Sequence, residues 1–271
     1  MDTKTILTII GSFMAASTAQ IISHILTLKR EKKNYQKACY QHLYSPTIFK
    51  LTDYIRSEAI PHYDLFGFED LDIPSTDTFH DVMTSIGNNL KYADVDVINF
   101  YHVWQRDYSE PDTSIEYNSP GTFDKEAEID FRITFANSFF SQFIQINKAL
   151  KFNHKIITEE LKAPYFFTHF FLLIKECTRP YSITYDELFA MYDLIEAILS
   201  PINDYTERII SVRNELDNVY STPLYKNNER VAEAYLSAYG FLYEIVNEFA
   251  DISEDRANKF KKFLDSSIKN D

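Results

Sequence analysis

The chain has 271 residues, of which 45% are hydrophobic and 25% charged, enough apolar content for a buried core and too much for a disordered chain. Its 5 glycines cannot spell G-x-G-x-x-G or G-x-x-x-x-G-K-[ST] anywhere, which excludes Rossmann-type and P-loop nucleotide sites, and their scarcity argues against an all-β fold. A formal net charge of −13 disfavours nucleic acid as a partner of the general surface.

The charge is unevenly spread. Residues 1–37 hold six basic side chains and two acidic ones, leaving 21 basic and 38 acidic for the rest. Cys39 and Cys177 lie far apart without a C-x-x-C, and no N-x-[ST] acceptor occurs, so free thiols in a reducing compartment are expected.

Residues 1–4 form a short amino-terminal tail. Thr5–Leu28 then carries no Asp, Glu, Lys or Arg. As a helix it would be about 36 Å long, enough for a hydrocarbon layer of about 30 Å, and it is expected to be a single transmembrane span. The basic collar Lys29, Arg30, Lys32 and Lys33 follows at once. The positive-inside rule places the carboxyl side in the cytoplasm and the amino end outside, at the plasma (inner) membrane. Apolar sequence resumes at Ile21, which weighs against a signal peptide cut after Ala19.

Within this span Gly11, Ala15, Ala19, Ser23 and Thr27 recur every four residues, beside Ser12, Ala16, Gln20 and His24. Helices in lipid associate through small residues and interhelical hydrogen bonds, so this face is expected to pair with copies of itself. Gln20 and His24 are polar groups at depth that either line a pore or hold a bundle together.

Residues 29–60 read as the collar and connecting helices, one over Glu31–Tyr44 that stops before Pro46 and one over Thr47–Glu58. Residues 61–271 read as an acidic cytoplasmic helical domain with a possible sub-boundary near 110–121. Residues 61–76 read as irregular. Asp77 is expected to cap a helix carrying Phe79, Val82, Met83 and Ile86, and Asp94 to start the next, through Ile98 and Trp104. After a loop at 107–121, Glu126 and Glu128 suit the start of a helix with Ile129, Phe135, Phe139 and Ile146 inward. Thr158 is expected to cap the following helix. Tyr165–Ile174, apolar all round and too short to span a bilayer, is expected to be a core helix containing His169 as a satisfied core histidine.

Thr184 and Glu187 form a capping box ahead of Leu188, Tyr192, Ile195 and Ile198. Pro201 opens a helix whose Ile202, Tyr205, Ile209, Val212, Leu216 and Val219 follow a heptad-like 3–4 spacing. On it, Arg213-Asn214 is similar to the start of the R-x-x-x-x-H pattern of small helical ribonuclease domains, but Asn218 stands at the histidine position. That activity is therefore not expected. A long helix over Glu229–Ala250 and a short one after Ser253 close the chain.

His62, His80 and His102 are candidate metal ligands by residue type, yet none has the spacing of a known site, and no metal or other cofactor is expected. The chain thus reads as all-α: one membrane helix followed by a helical bundle. The expected function is non-enzymatic, with the bilayer, copies of the chain and a protein partner or signal as binding partners. That layout resembles membrane-acting stress or phage-defence effectors. A second reading makes the body a sensor that binds a small ligand between helices; a third makes it an anchored hydrolase using His and carboxylates of region 62–112.

Overall fold

In a computed structural model, residues 2–59, 75–108, 125–152, 155–178, 184–199, 205–220 and 228–267 are described, with the side chains of 4–10, 12, 15 and a few helix ends excepted. Every regular element among them is helical. The chain runs α1 (Thr3–Cys39), a π-helical turn (Tyr40–Tyr44), α2 (Ser45–Ala59), α3 (Ser75–Gly87), a 3₁₀ turn (Leu90–Tyr92) and α4 (Val95–Asp107). It continues as α5 (Lys125–Leu150), α6 (Lys155–Cys177), α7 (Tyr185–Phe189), α8 (Tyr192–Ile198), α9 (Tyr205–Tyr220), α10 (Asn228–Ile252) and α11 (Glu254–Ser267).

The first helix does not stop before Pro46. The backbone passes from α1 through the π turn directly into α2, and Pro46 is the second residue of α2, immediately after the change from π to α spacing. The π turn faces inward: Tyr40, Leu43 and Tyr44 are buried, and Tyr40 packs its ring on Phe143 and Phe152 of the α5 end. The expected break is thus a change of helix register that docks α1 on the bundle.

α6 is the central helix, packed against α2, α5, α8, α9 and α10. Phe166, Phe167, Phe170, Phe171, Leu173 and Ile174 are all fully buried, as an all-round apolar run requires. α6 begins at Lys155, so Thr158 lies inside it rather than at its cap, and Pro164 is accommodated in its interior. Aromatic contacts knit the layers together, with Phe170 against Phe249 and Phe260, and Phe167 against Phe189 and Tyr192.

Asp94 caps α4, accepting from the Val97 amide at 2.9 Å, and Thr184 with Glu187 forms the full capping box of α7. The helix expected after that box is split by a turn at Ala190–Met191 into α7 and α8. Asp77 is not the cap of α3 but an acidic residue of its first turn, since the helix already begins at Ser75. The irregular 61–76 stretch (as far as 74), the loop to 121 with its sub-boundary, and Pro201 lie outside the described residues.

The transmembrane expectation needs correction. α1 is a continuous helix of 37 residues, yet among the described residues no helix is long and apolar enough to cross a membrane. Thr18, Gln20, Ser23, His24 and Thr27 interrupt the apolar sequence too often.

Candidate functional site

Two features outside ordinary core packing stand out: the amino-terminal arm of α1 and a cleft between α5, α6 and α9.

From Phe13 to Tyr35 no described side chain of α1 is buried. Phe13 is 74% exposed, Met14 64% and Ile21 61%, and Ile22, Ile25, Leu26 and Leu28 are likewise open. At 3.6 residues per turn these seven side chains sweep roughly 220° of the helix surface. Ala16, Ala19, Gln20, Ser23 and Thr27 occupy the remaining sector. All five are exposed, as is His24. A four-residue repeat drifts about 40° per step, so Gly11 falls outside this sector, beside Thr18 and Ile22. A Cβ at Gly11 would meet nothing within 4 Å. The side chain of Ala15 lies outside the described residues.

Thr18 and Thr27 donate their hydroxyls back to the Met14 and Ser23 carbonyls at 2.8 and 2.9 Å, which satisfies them within the helix. Lys29, Arg30, Lys32 and Lys33 follow, all exposed. The arm joins the body from Gln36 onward, where burial begins.

The cleft has a volume of about 1150 Å³. α5 contributes Asn137, Ser141, Ile144 and Asn147; α6 contributes Leu161, Tyr165 and His169; α9 contributes Thr206, Ile210 and Arg213. The 137–147 set recurs every three or four residues, which turns one polar stripe of α5 toward its neighbours. Arg213 sits beside the inward Val212 and Leu216 of α9 and is therefore carried into the bundle.

Arg213 holds three groups together. Nη1 donates to His169 Nδ1 at 2.9 Å and to Asn137 Oδ1 at 3.4 Å, and Nη2 donates to Glu176 Oε1 at 2.9 Å. Asn137 donates in turn to Thr168, and Ser141 shares a hydrogen bond with the Tyr165 hydroxyl. The Tyr165 ring meets the imidazole edge-on, with centroids 4.7 Å apart.

Burial, reinforced by the guanidinium charge, pushes the His169 pKa down to about 3. Burial raises the Glu176 pKa, and Arg213 opposes that rise. The imidazole is therefore neutral at ordinary pH. An arginine only donates, so Nδ1 is the acceptor and the ring proton is on Nε2. His169 is 6% exposed, and its Nε2 has no hydrogen-bond partner. Core histidine was the expectation, and core it is, but only one of its nitrogens is satisfied. An ionisable residue amid YFFTHFFLLI was the sequence signal for this site, and a long cation between apolar heptad positions was the signal for Arg213.

A second buried cation, Arg132 on α5, pairs with Glu58 at 3.4 Å and with Glu128, and lies 5.1 Å above the Phe79 ring. It joins α2, α3 and α5.

The histidines singled out by residue type are not brought together. His80 stands exposed against Trp104, His102 exposed beside Tyr101, and His62 lies outside the described residues. Among the described residues no group of three or more His, Cys, Asp or Glu is placed to hold a metal ion. Cys39 and Cys177 are both buried free thiols. No family model, curated protein sequence or solved structure matches this chain.

Proposed function

We propose that this chain is a membrane-bound, non-enzymatic helical protein: the arm of α1 is taken up by a lipid bilayer and associates there with other copies, and the body stands at the membrane surface as a receptor module. The observation that carries the reading is the arm itself. Seven large apolar side chains spread over more than half the helix circumference cannot be covered by a single helix in water, whereas a helix lying in the bilayer interface sinks them into the acyl boundary and leaves the sector of Gln20, Ser23 and Thr27 to water or to a second arm. The side-chain hydroxyls that return to the arm's own backbone suit the same environment.

The charge pattern agrees. The collar from Lys29 to Lys33 closes the apolar stretch and is attracted to an anionic leaflet, each cation within the surface field contributing about 1 kcal/mol. The acidic body is repelled by that leaflet and is held off it by the exposed remainder of α1. The body then lies on the anionic, cytoplasmic side. In this arrangement a binding event in the body alters how the arms pack, which is how a membrane-acting effector would be switched.

Flotation of the full chain with vesicles tests this. The protein should float with vesicles of phosphatidylglycerol and phosphatidylcholine, and Ile21→Asp with Ile25→Asp should leave it at the bottom of the gradient. Alkaline carbonate washing separates an arm inserted to depth, which stays, from one lying on the surface, which is released. Equal flotation of wild type and double variant would reject the proposal.

A further inference from the structure

We infer that the cleft between α5, α6 and α9 is a binding site for a small organic anion, recognised by Arg213 and the Nε2–H of His169.

The inference begins with an imbalance of donors. Fixing the His169 tautomer through Arg213 leaves Nε2–H as a buried donor with nothing to donate to. Such a group carries a desolvation penalty that an acceptor atom in the cleft would remove. Arg213 Nε and Glu176 Oε2 also lack partners, and both belong to the one ion pair that Arg213 Nη2 makes with Glu176 Oε1. Asn147 and Thr206, also on the cleft wall, each have a buried polar oxygen without a partner, and the Nε2–H of His169 adds a group that can only donate, so the site calls for a ligand with an acceptor atom.

Donor chemistry gives the sign of that ligand. Lys148, Lys151, Lys162 and Arg213 border the cleft against Glu159, Glu207 and Asp217, and Glu176 pairs with Arg213, so the formal charges balance. The guanidinium of Arg213 and the Nε2–H of His169 can only donate, which favours a carboxylate or phosphate over an amine. Shape gives the rest. The volume exceeds what a bare ion needs, and Phe143, Ile144, Phe152 and Leu161 supply an apolar wall for an organic skeleton. Nε2 has almost no accessible surface, so contact with the ligand involves a local side-chain shift.

This site is independent of the membrane reading, and its test does not use lipid. The full chain in detergent is titrated with citrate, glucose 6-phosphate and glucose while the imidazole ¹⁵N signals are followed. Citrate or glucose 6-phosphate should move the His169 signal saturably and glucose should not; which of the two acts separates a carboxylate site from a phosphate site. The paired change Arg213→Met with Glu176→Gln removes both charges together and should weaken binding at least about tenfold. His169→Gln is read in parallel by thermal shift, and the stabilisation by the active probe should be lost. No saturable shift at His169 with either anion, or a shift unchanged in the paired variant, overturns the inference.

Discussion

Arg213 donates to Nδ1 of His169 across the α6–α9 interface at 2.9 Å, and this bond determines that the imidazole keeps its proton on Nε2. It is the point where α5, α6 and α9 share one polar network.

That network has a pH signature. With its folded pKa held near 3, well below the usual histidine value, His169 stays neutral while the unfolded chain takes up a proton. Its contribution to stability is therefore full above the unfolded pKa and is lost as pH falls, by up to about 1.4 kcal/mol per unit. Glu176 acts in the opposite direction, since its raised pKa weakens the fold as pH rises through the carboxylate range. Comparing wild type with His169→Gln cancels the Glu176 part. Denaturant titrations between about pH 4 and 6 should show a shallower dependence in the variant, and parallel curves would contradict the assignment.

Arg132 is the more expensive side chain to lose. Its guanidinium is buried, and Glu58, with a side chain only 13% exposed, depends on it. Arg132→Met should cost about 3–5 kcal/mol in urea unfolding because a carboxylate is left in the core without its cation. Adding Glu58→Gln should recover part of that loss. Full stability of Arg132→Met would mean that the pair is solvated.

Asp94 does two jobs. One carboxylate oxygen accepts from the Val97 amide and the other from the Tyr44 hydroxyl, at 2.9 and 2.7 Å, and burial together with this carboxylate pushes the tyrosine pKa up. Asp94→Ala should destabilise the protein by about 2–3 kcal/mol, the sum of a lost cap and a lost charge-assisted hydrogen bond. Asp94→Asn, which retains an acceptor, should cost less. Thermal unfolding of the two variants reads the difference.

Local chemistry made several elements legible in the sequence. The Asp94 cap, the Thr184–Glu187 box and the buried Tyr165–Ile174 run all follow from side chains acting within a turn or two of themselves. Pro46 is not a stop, because a π turn that no local residue pattern announces carries the helical path past it. The Arg213–His169–Glu176 network was not legible as a site, because it joins residues 44 positions apart through tertiary packing alone. His80 and His102 show the converse: residue type suggested a cluster, and the fold points them into solvent.

The arm makes a prediction about assembly. In membranes, Ala19→Cys, placed in the sector of small and polar side chains, should form disulfide-linked dimers on mild oxidation. Ile21→Cys, about 160° away around the helix on the lipid-facing side, should do so several-fold less. Cys39 and Cys177 are buried and serve as the background in both. Equal cross-linking from the two positions would remove the case for a preferred contact face.

Lipid uptake of the arm is the central claim, and one fluorescence measurement addresses it directly. Trp104 is the only tryptophan in the chain, so Ile22→Trp in a Trp104→Phe background reports the arm alone. Ile22 is 53% exposed in the isolated chain. On addition of anionic vesicles its emission should shift to the blue and be quenched by brominated acyl chains. Emission that stays water-like, with no quenching at saturating lipid, would contradict the account.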